Sequence, residues 1–345
     1  MMKNWSDSTR FPEAHGEWQI LANNEVRSVG EDGVRKLALR WFLTQRKLVS
    51  TPDSRRFLPA ICVPALADFT HKSFLSRFKI YFYLIGFYLF LTLFIAVLTS
   101  DFDEYTRIAA MLVTALIYVF VEFQIAFKPY PNIYERTLFY NWIFQQRNPT
   151  LELAIWIIVA AGVAQWLYQQ QIGNLESLVM GYGAYFPAIE TGQFWRYVSG
   201  PFIHSSFIHW LVNTIFLLYI TKLIGKLATP RILTLFLLSI PITAVIVHLA
   251  NLAGSNSLDG FVGVSGGVYF LFGWLTAATY LHRGFFPAHY YVSILLVAAC
   301  NLVLPEILNY NSSFTAHISG FLLGIIAGSL GLASNLRQLE QTTAH

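Results

Sequence analysis

Polar and apolar residues are mixed along the first 78 positions, and from there onward long apolar runs alternate with short polar connectors. Eight runs are long enough to cross a hydrocarbon layer of about 30 Å as helices. They lie at 80–99, 108–127, 151–171, 207–224, 232–251, 263–281, 287–304 and 313–333. Helix breakers and charges collect between them, as in Asp101-Phe102-Asp103-Glu104, Lys128-Pro129-Tyr130-Pro131, Thr229-Pro230-Arg231 and His282-Arg283-Gly284. Residues 1–30 hold acids and prolines and no apolar core of the signal-peptide kind, so no cleavable leader is expected. Ahead of the first run, Val34, Leu37, Ala38, Trp41 and Leu48 share one helical face while Arg35, Lys36, Arg40, Arg46 and Lys47 crowd the others. Such a helix suits either the inner leaflet or the core of a small cytosolic domain. Glu122, late in the second run, is expected to snorkel toward the cytosolic interface.

Composition agrees with this pattern. Of the 345 residues, 55% are hydrophobic and 12% charged, whereas soluble domains carry about 25% charged residues. The chain is therefore expected to be an all-α polytopic protein that uses lipid as much of its solvent. Disordered, collagenous and disulfide-scaffold classes are excluded. Cys62 and Cys300 stand far apart, which suggests neither a disulfide framework nor a cysteine metal site. With the N-terminus in the cytosol, 21 of the 23 Lys and Arg fall in cytosolic segments and only Arg107 and Arg196 outside. That asymmetry places both termini in the cytosol. It accounts for the net charge of +4 through topology and anionic lipid, without a nucleic-acid partner.

Ionisable and nucleophilic side chains at membrane depth are costly, and three groups of them stand out. They are His209-Trp-Leu-Val-Asn213 at the start of the fourth run, Gly263-Val-Ser265-Gly266 at the start of the sixth, and Ala316-His317-Ile-Ser-Gly320 at the start of the eighth. Each alone is weak, because a GxSG string arises by chance and a membrane histidine is more often a helix contact. Topology joins them: spans four, six and eight all run inward, so their starts share one depth in the outer leaflet. Gly263 and Gly267, and Gly320, Gly324 and Gly328, are spaced by four, a small-residue strip that lets two helices approach closely. A Ser265 hydroxyl then comes within reach of the His317 imidazole, the arrangement of a nucleophile and its base. His209 and Asn213, four apart on one helical face, offer N–H donors for an oxyanion beside the Ser265 amide. No carboxylate lies in these spans to orient His317, so a dyad is expected and not a triad. Tyr269, one turn after Ser265, is placed to pack on the imidazole.

From about residue 150 to 333 the sequence resembles the rhomboid intramembrane serine proteases. The resemblance rests on Gly183-Ala184, Gly192-Gln-Phe-Trp195-Arg196, His204 with His209-Trp-Leu-Val-Asn213, Gly263-Val-Ser265-Gly266-Gly-Val-Tyr269, and Ala316-His317-Ile-Ser-Gly320-Phe-Leu-Leu-Gly324. It implies a six-helix protease core at 150–334, preceded by a cytosolic segment at 1–78 and two additional transmembrane helices at 79–149, and followed by a short cytosolic tail at 335–345. It also implies cleavage of single-span, membrane-anchored proteins in or beside their transmembrane helix, in a bacterial inner membrane, with no metal or other cofactor. Ser265 is then the nucleophile and His317 the base. His209, Asn213 and the Ser265 amide hold the oxyanion. Tyr269 stacks on the base, Gly263, Gly266, Gly320 and Gly324 support the close approach, and Trp195 and Arg196 belong to a structural outer loop. The family's gate and cap correspond to the span 287–304 and the loop 305–312. Polar triplets at 204–206, 255–257 and 311–313 are expected to border a wet depression at the outer face.

Other chemistries fit less well. There is no HExxH for a zinc enzyme, and His204 with His209 lacks a third ligand. No aspartate falls inside a span, which removes an aspartyl dyad. A transporter would call for broken helices near the midplane, and only Pro241 and His248 hint at one. A non-catalytic relative that binds transmembrane segments is the alternative, and it predicts that Ser265 or His317 be missing.

Overall fold

The computed structural model describes residues 5–38, 47–99, 102–145, 148–172, 174–254, 259–307 and 314–341. Its helices are α1 Gly30–Ala38, α2 Pro64–Thr99, α3 Phe102–Glu122, α4 Tyr130–Phe144, α5 Pro149–Ile172, α6 Leu175–Tyr182, α7 Phe186–Glu190, α8 Arg196–Ser199, α9 Phe207–Ile224, α10 Arg231–Leu252, α11 Ser265–Leu281, α12 Tyr290–Ile307, α13 Phe314–Ser329 and α14 Leu336–Gln341. Among the described residues, five segments are long and apolar enough to cross a membrane: Pro64–Leu98, Ile108–Phe127, Pro149–Gln171, Phe207–Ile224 and Arg231–Leu252. The chain is thus an all-α polytopic membrane protein. The runs predicted at 263–281, 287–304 and 313–333 form α11, α12 and α13. With 17 and 16 residues, α11 and α13 reach only about 25 Å at 1.5 Å per residue.

Two boundaries differ from the pattern of apolar residues. The first membrane helix begins at Pro64, not 80, because its polar first half is helical as well; Lys72 pairs there with Asp68 at 2.7 Å across one turn. The last ends at Ser329, not 333. Gly331, with φ +68, gives its N–H to the Gly328 carbonyl, and Leu332 gives its own to Ala327, a Schellman stop that apolar character alone does not reveal.

The chain divides into two compact units. The first comprises Met1–Gln145, His282–Cys300 and Arg337–His345. It opens with a three-stranded antiparallel sheet of order β2-β1-β3, from β1 Gln19–Ala22, β2 Glu25–Ser28 and β3 Leu48–Ser50. Asn23 and Asn24, at φ 53 and 67, make the two-residue turn that matches strand twist. These strands are too short for a period to be read from sequence. Val34 and Ala38 of α1 are buried with Val49, Ala60, Val63 and Leu66, so α1 packs into the core of a small domain. Leu48, expected on the same helical face, lies in β3 instead. Arg40, Trp41 and Arg46 lie outside the described residues.

The connector expected at 128–149 contains α4, a largely buried helix. Its Arg136 reaches Glu122 at 3.5 Å, and both side chains are almost fully buried. Glu122 therefore does not snorkel to the interface. The partner guanidinium offsets the cost of taking its carboxylate out of water.

The second unit comprises Gln146–Leu281 and Asn301–Leu336. Its centre is α11, on which every residue from Ser265 to Thr279 is buried. Helix α13 lies against it backbone to backbone. A Cβ on Gly320 would meet the Gly266 carbonyl, one on Gly324 the Phe270 carbonyl, one on Gly328 the Trp274 carbonyl, and one on Gly273 the Phe321 carbonyl. The glycines of α11 that touch α13 are thus Gly273, whose Cβ direction points at it, and Gly266, whose backbone meets Gly320 while its own Cβ direction points to Thr243 of α10, and not the expected Gly263 and Gly267. Gly263 precedes the helix and Gly267 faces Phe236 and Ile240 of α10, because the helical period turns them to other neighbours. Between α5 and α9 the chain folds into α6, α7 and α8. A short strand there, β4 Ala184–Tyr185, pairs antiparallel with β5 Gly260–Phe261, just ahead of Ser265.

Candidate active site

Ser265 is the first residue of α11 and His317 lies in the first turn of α13. Ser265 Oγ stands 2.9 Å from His317 Nε2, with both residues almost fully buried. With Nε2 unprotonated, the serine hydroxyl donates to it, as transfer of that proton to the imidazole requires. The contact follows from the helix packing. Gly320 sits one turn after His317 and lets α13 touch the Gly266 carbonyl, so a short serine side chain spans the gap.

The rest of the imidazole is held by packing. The Tyr269 ring stacks on it with centroids 4.4 Å apart and planes at 29°. The Tyr269 hydroxyl donates to the Asn301 carbonyl at 2.5 Å, which fixes the ring from behind. His317 Nδ1 is buried and has no hydrogen-bond partner among the described residues.

Ser206 caps α9 by accepting the His209 N–H at 3.1 Å, and this sets where the helix starts. The His209 Nδ1 lies 3.0 Å from Ser205 Oγ. Its ring faces Gly263, where a Cβ would come within 2.7 Å of Cε1. Gly263 also has φ +107, so both the approach of His209 and the backbone turn into α11 demand glycine. One turn further on, Asn213 is buried and its Nδ2 has no hydrogen-bond partner among the described residues. Neither His209 nor Asn213 is hydrogen-bonded to Ser265.

Trp195 and Arg196 lie in the segment between α5 and α9 and make none of the contacts of the Ser265–His317 pair. Buried Arg196 donates from Nη1 to the Met180 and Gly183 carbonyls, both at 3.0 Å, and from Nε to Gln193 Oε1 at 2.8 Å. Its guanidinium lies 4.8 Å from the Trp195 ring centre. The same segment meets the site's surroundings through a buried cluster of Phe186, Ile189, Val247, Phe261 and Ala316, the last adjacent to His317.

Some residues were not singled out from sequence. Gln165, in the third apolar run, clamps the backbone of His204, giving Nε2 to its carbonyl at 2.7 Å and taking its N–H at 2.9 Å. An amide in the interior of an apolar span, four residues ahead of the glutamines that end it, was the available signal. The His204 ring, edge-on to His209 at 5.2 Å, is held neutral, since burial foremost, with His209 nearby, pushes it down to about 3. His248 is satisfied on both sides, by the Tyr197 hydroxyl at 2.6 Å and by Glu190 at 3.3 Å, and stacks on Phe186. It has the character of a helix contact and not of a transport pathway. The polar triplets at 255–257 and 311–313 and most of the expected cap loop lie outside the described residues.

Ser265 and His317 thus form a buried, hydrogen-bonded pair at the abutting ends of two apolar helices. Residues 191–334, which contain the pair, match the family model of the Rhomboid domain. The match covers 144 of the 345 residues, and over that stretch the chain is similar to the Rhomboid domain. Among curated proteins it is similar to "Rhomboid protease GlpG" of Haemophilus influenzae (strain ATCC 51907 / DSM 11121 / KW20 / Rd), with 26% identity over 205 residues. The match spans 58% of this chain and 99% of the relative.

Proposed function

We propose that this chain is an intramembrane serine endopeptidase that hydrolyses a peptide bond in or next to the transmembrane segment of single-span, membrane-anchored proteins. The observation that carries the reading is the 2.9 Å contact of Ser265 Oγ with His317 Nε2. Ser265 attacks the scissile carbonyl as Nε2 takes its proton. His317 then returns that proton to the leaving amine, and a water repeats the cycle on the acyl-enzyme. Negative charge on the tetrahedral oxygen is met by the Ser265 amide, His209 and Asn213. The unpartnered Asn213 Nδ2 supports this role, because a buried donor left free is costly unless a ligand uses it. Tyr269 keeps the imidazole plane aligned. A substrate helix hides its carbonyls in internal hydrogen bonds, so cleavage favours segments with small or helix-weakening residues that unwind near the outer leaflet.

The 21 cytosolic-side cations support a topology with both termini in the cytosol and the reactive pair toward the outer face of a bacterial inner membrane. Residues 150–334 are the protease core in this reading. Residues 1–78 and 79–149 are a cytosolic segment and two added helices, and 335–345 a cytosolic tail.

The test is reactivity of Ser265 toward a fluorophosphonate probe in detergent-purified protein. Labelling that is lost in Ser265→Ala supports the enzyme. A folded chain whose serine stays unlabelled is a binder of transmembrane segments and not a protease. For the oxyanion role, Asn213→Ala is expected to lower kcat by about 10²- to 10³-fold with little change in KM. An unchanged kcat in a substrate-cleavage assay removes Asn213 from the site.

A further inference from the structure

Within the second unit, the segment between α5 and α9 is tied to itself by Arg196 and Ser199, whose side chains bond the Met180, Gly183 and Tyr182 carbonyls. One side chain of α10 meets three residues of that segment. His248, buried near the end of α10, has its Nδ1 2.6 Å from the Tyr197 hydroxyl and its Nε2 3.3 Å from Oε1 of half-exposed Glu190. The Phe186 ring stacks on its face, with centroids 4.5 Å apart and planes at 12°. Burial foremost, with Glu190 nearby, pushes the Tyr197 phenol up, so the phenol keeps its proton and donates to Nδ1. The ring proton then sits on Nε2 and faces the carboxylate, and both ring nitrogens are engaged.

The same segment touches the backbone that leads into each reactive residue. Ala184 and Tyr185 pair with Phe261 and Gly260, and the Phe186 N–H reaches the Asp259 carbonyl at 2.8 Å, so the chain is held just ahead of Ser265. Phe186 and Phe261 share one buried cluster with Val247 of α10 and with Ala316, the residue before His317. So short a ladder is marginal alone, as isolated hairpins are, and depends on the segment staying seated on α10. We propose that His248 is a positioning residue for the reactive pair: by holding Tyr197, Glu190 and Phe186 it clamps the segment to α10, and the β4–β5 ladder and the cluster around Phe186 carry that placement to Ser265 and His317. This rests on Ser265 and His317 being the catalytic pair. Misplacement of about 1 Å at a reacting group costs about 10²-fold in rate, so a partial release of the clamp is felt at the pair.

Full-length protein tests this by the rate of fluorophosphonate labelling at Ser265 and by kcat and KM on a single-span substrate, with thermal unfolding to verify the folded fraction. His248→Phe keeps a ring against Phe186 and removes both hydrogen bonds. It is expected to lower the labelling rate and kcat about tenfold or more while KM stays within about twofold. Where His248→Phe does not fold, Tyr197→Phe, which drops the shorter bond alone, supplies the comparison and is expected to slow the same two rates. In the Tyr197→Phe background His248→Phe is expected to cost a smaller factor than in the wild type, because the two changes remove one shared contact. The control is Asn148→Ala in the same unit, which removes the bond from Nδ2 to the Gly225 carbonyl at the far end of α9; it is expected to leave labelling and kcat unchanged. A loss in Asn148→Ala equal to that in His248→Phe makes the effect a general loosening and overturns the proposal. Losses that multiply in full in the double variant, or no loss in a chain whose wild type is labelled, overturn it as well. A folded wild type that is never labelled overturns the catalytic reading itself, and this proposal with it.

Discussion

Ser265→Ala is expected to reduce substrate cleavage by at least about four orders of magnitude while the protein stays folded. The loss is large because in the proposed mechanism the serine supplies the bond-forming atom, and groups that act as a unit in hydrolysis lose nearly everything when either is removed. His317→Ala is expected to do the same, and the double variant to be no worse than either single one, since the second removal finds nothing left to disable. The effect on stability is small by comparison. The 2.9 Å bond contributes about 1 kcal/mol, and Ser265 stands at the end of a helix whose packing runs through Gly266, Gly273 and Trp274. Incubation of purified wild type and variants with a single-span substrate, alongside thermal unfolding, measures both quantities. A Ser265→Ala protein that cleaves at the wild-type rate removes the nucleophile and with it the mechanism.

The second large effect is expected where no reacting atom is touched. Gly324→Ala places a methyl against the Phe270 carbonyl and the Trp274 amide, and Gly320→Ala places one against the Gly266 carbonyl. These obstacles are backbone and cannot swing aside, so α13 must move off α11. Overpacking of this kind costs about 1–3 kcal/mol. In a bilayer, lipid tails offer no hydrophobic gain to compensate, because they are as apolar as the helix faces. The shift also carries His317 away from Ser265, and about 1 Å at that contact is worth about 10²-fold in rate. Both variants are therefore expected to melt at lower temperature and to lose about two orders of magnitude in cleavage. Gly86→Ala, on α2 where a Cβ meets nothing within 4 Å, is the matched control and is expected to change neither. Wild-type activity in Gly324→Ala would separate the reactive pair from the glycine contact.

The polar interruptions of the apolar runs were legible because a serine or histidine in a membrane helix is conspicuous against its surroundings. Ser265, His317, His209 and Asn213 all draw notice for that reason, and Gln165 would have done so by the same criterion. The facing of the glycines was not legible. Spacing by four marks a strip on α13 and misleads on α11, where Gly266 and Gly273 make the contact and Gly263 serves the turn and the His209 ring. Glu122 shows the same limit. Its depth in an apolar run announces a cost, but only the fold brings Arg136 of α4 to 3.5 Å and so decides how that cost is offset.

By itself the sequence determined that the chain is a bundle of membrane helices, because twenty apolar residues in a row have few other stable states and backbone polar groups in lipid must bond within their own helix. It determined also which few side chains were costly enough to need a reason. The tertiary structure alone decided that two of them meet at 2.9 Å and that the tyrosine stacked on one of them is tied to the Asn301 carbonyl. Composition and period report how a residue is solvated. They carry no information on which helix faces which, because that depends on backbone approach between segments far apart in the chain.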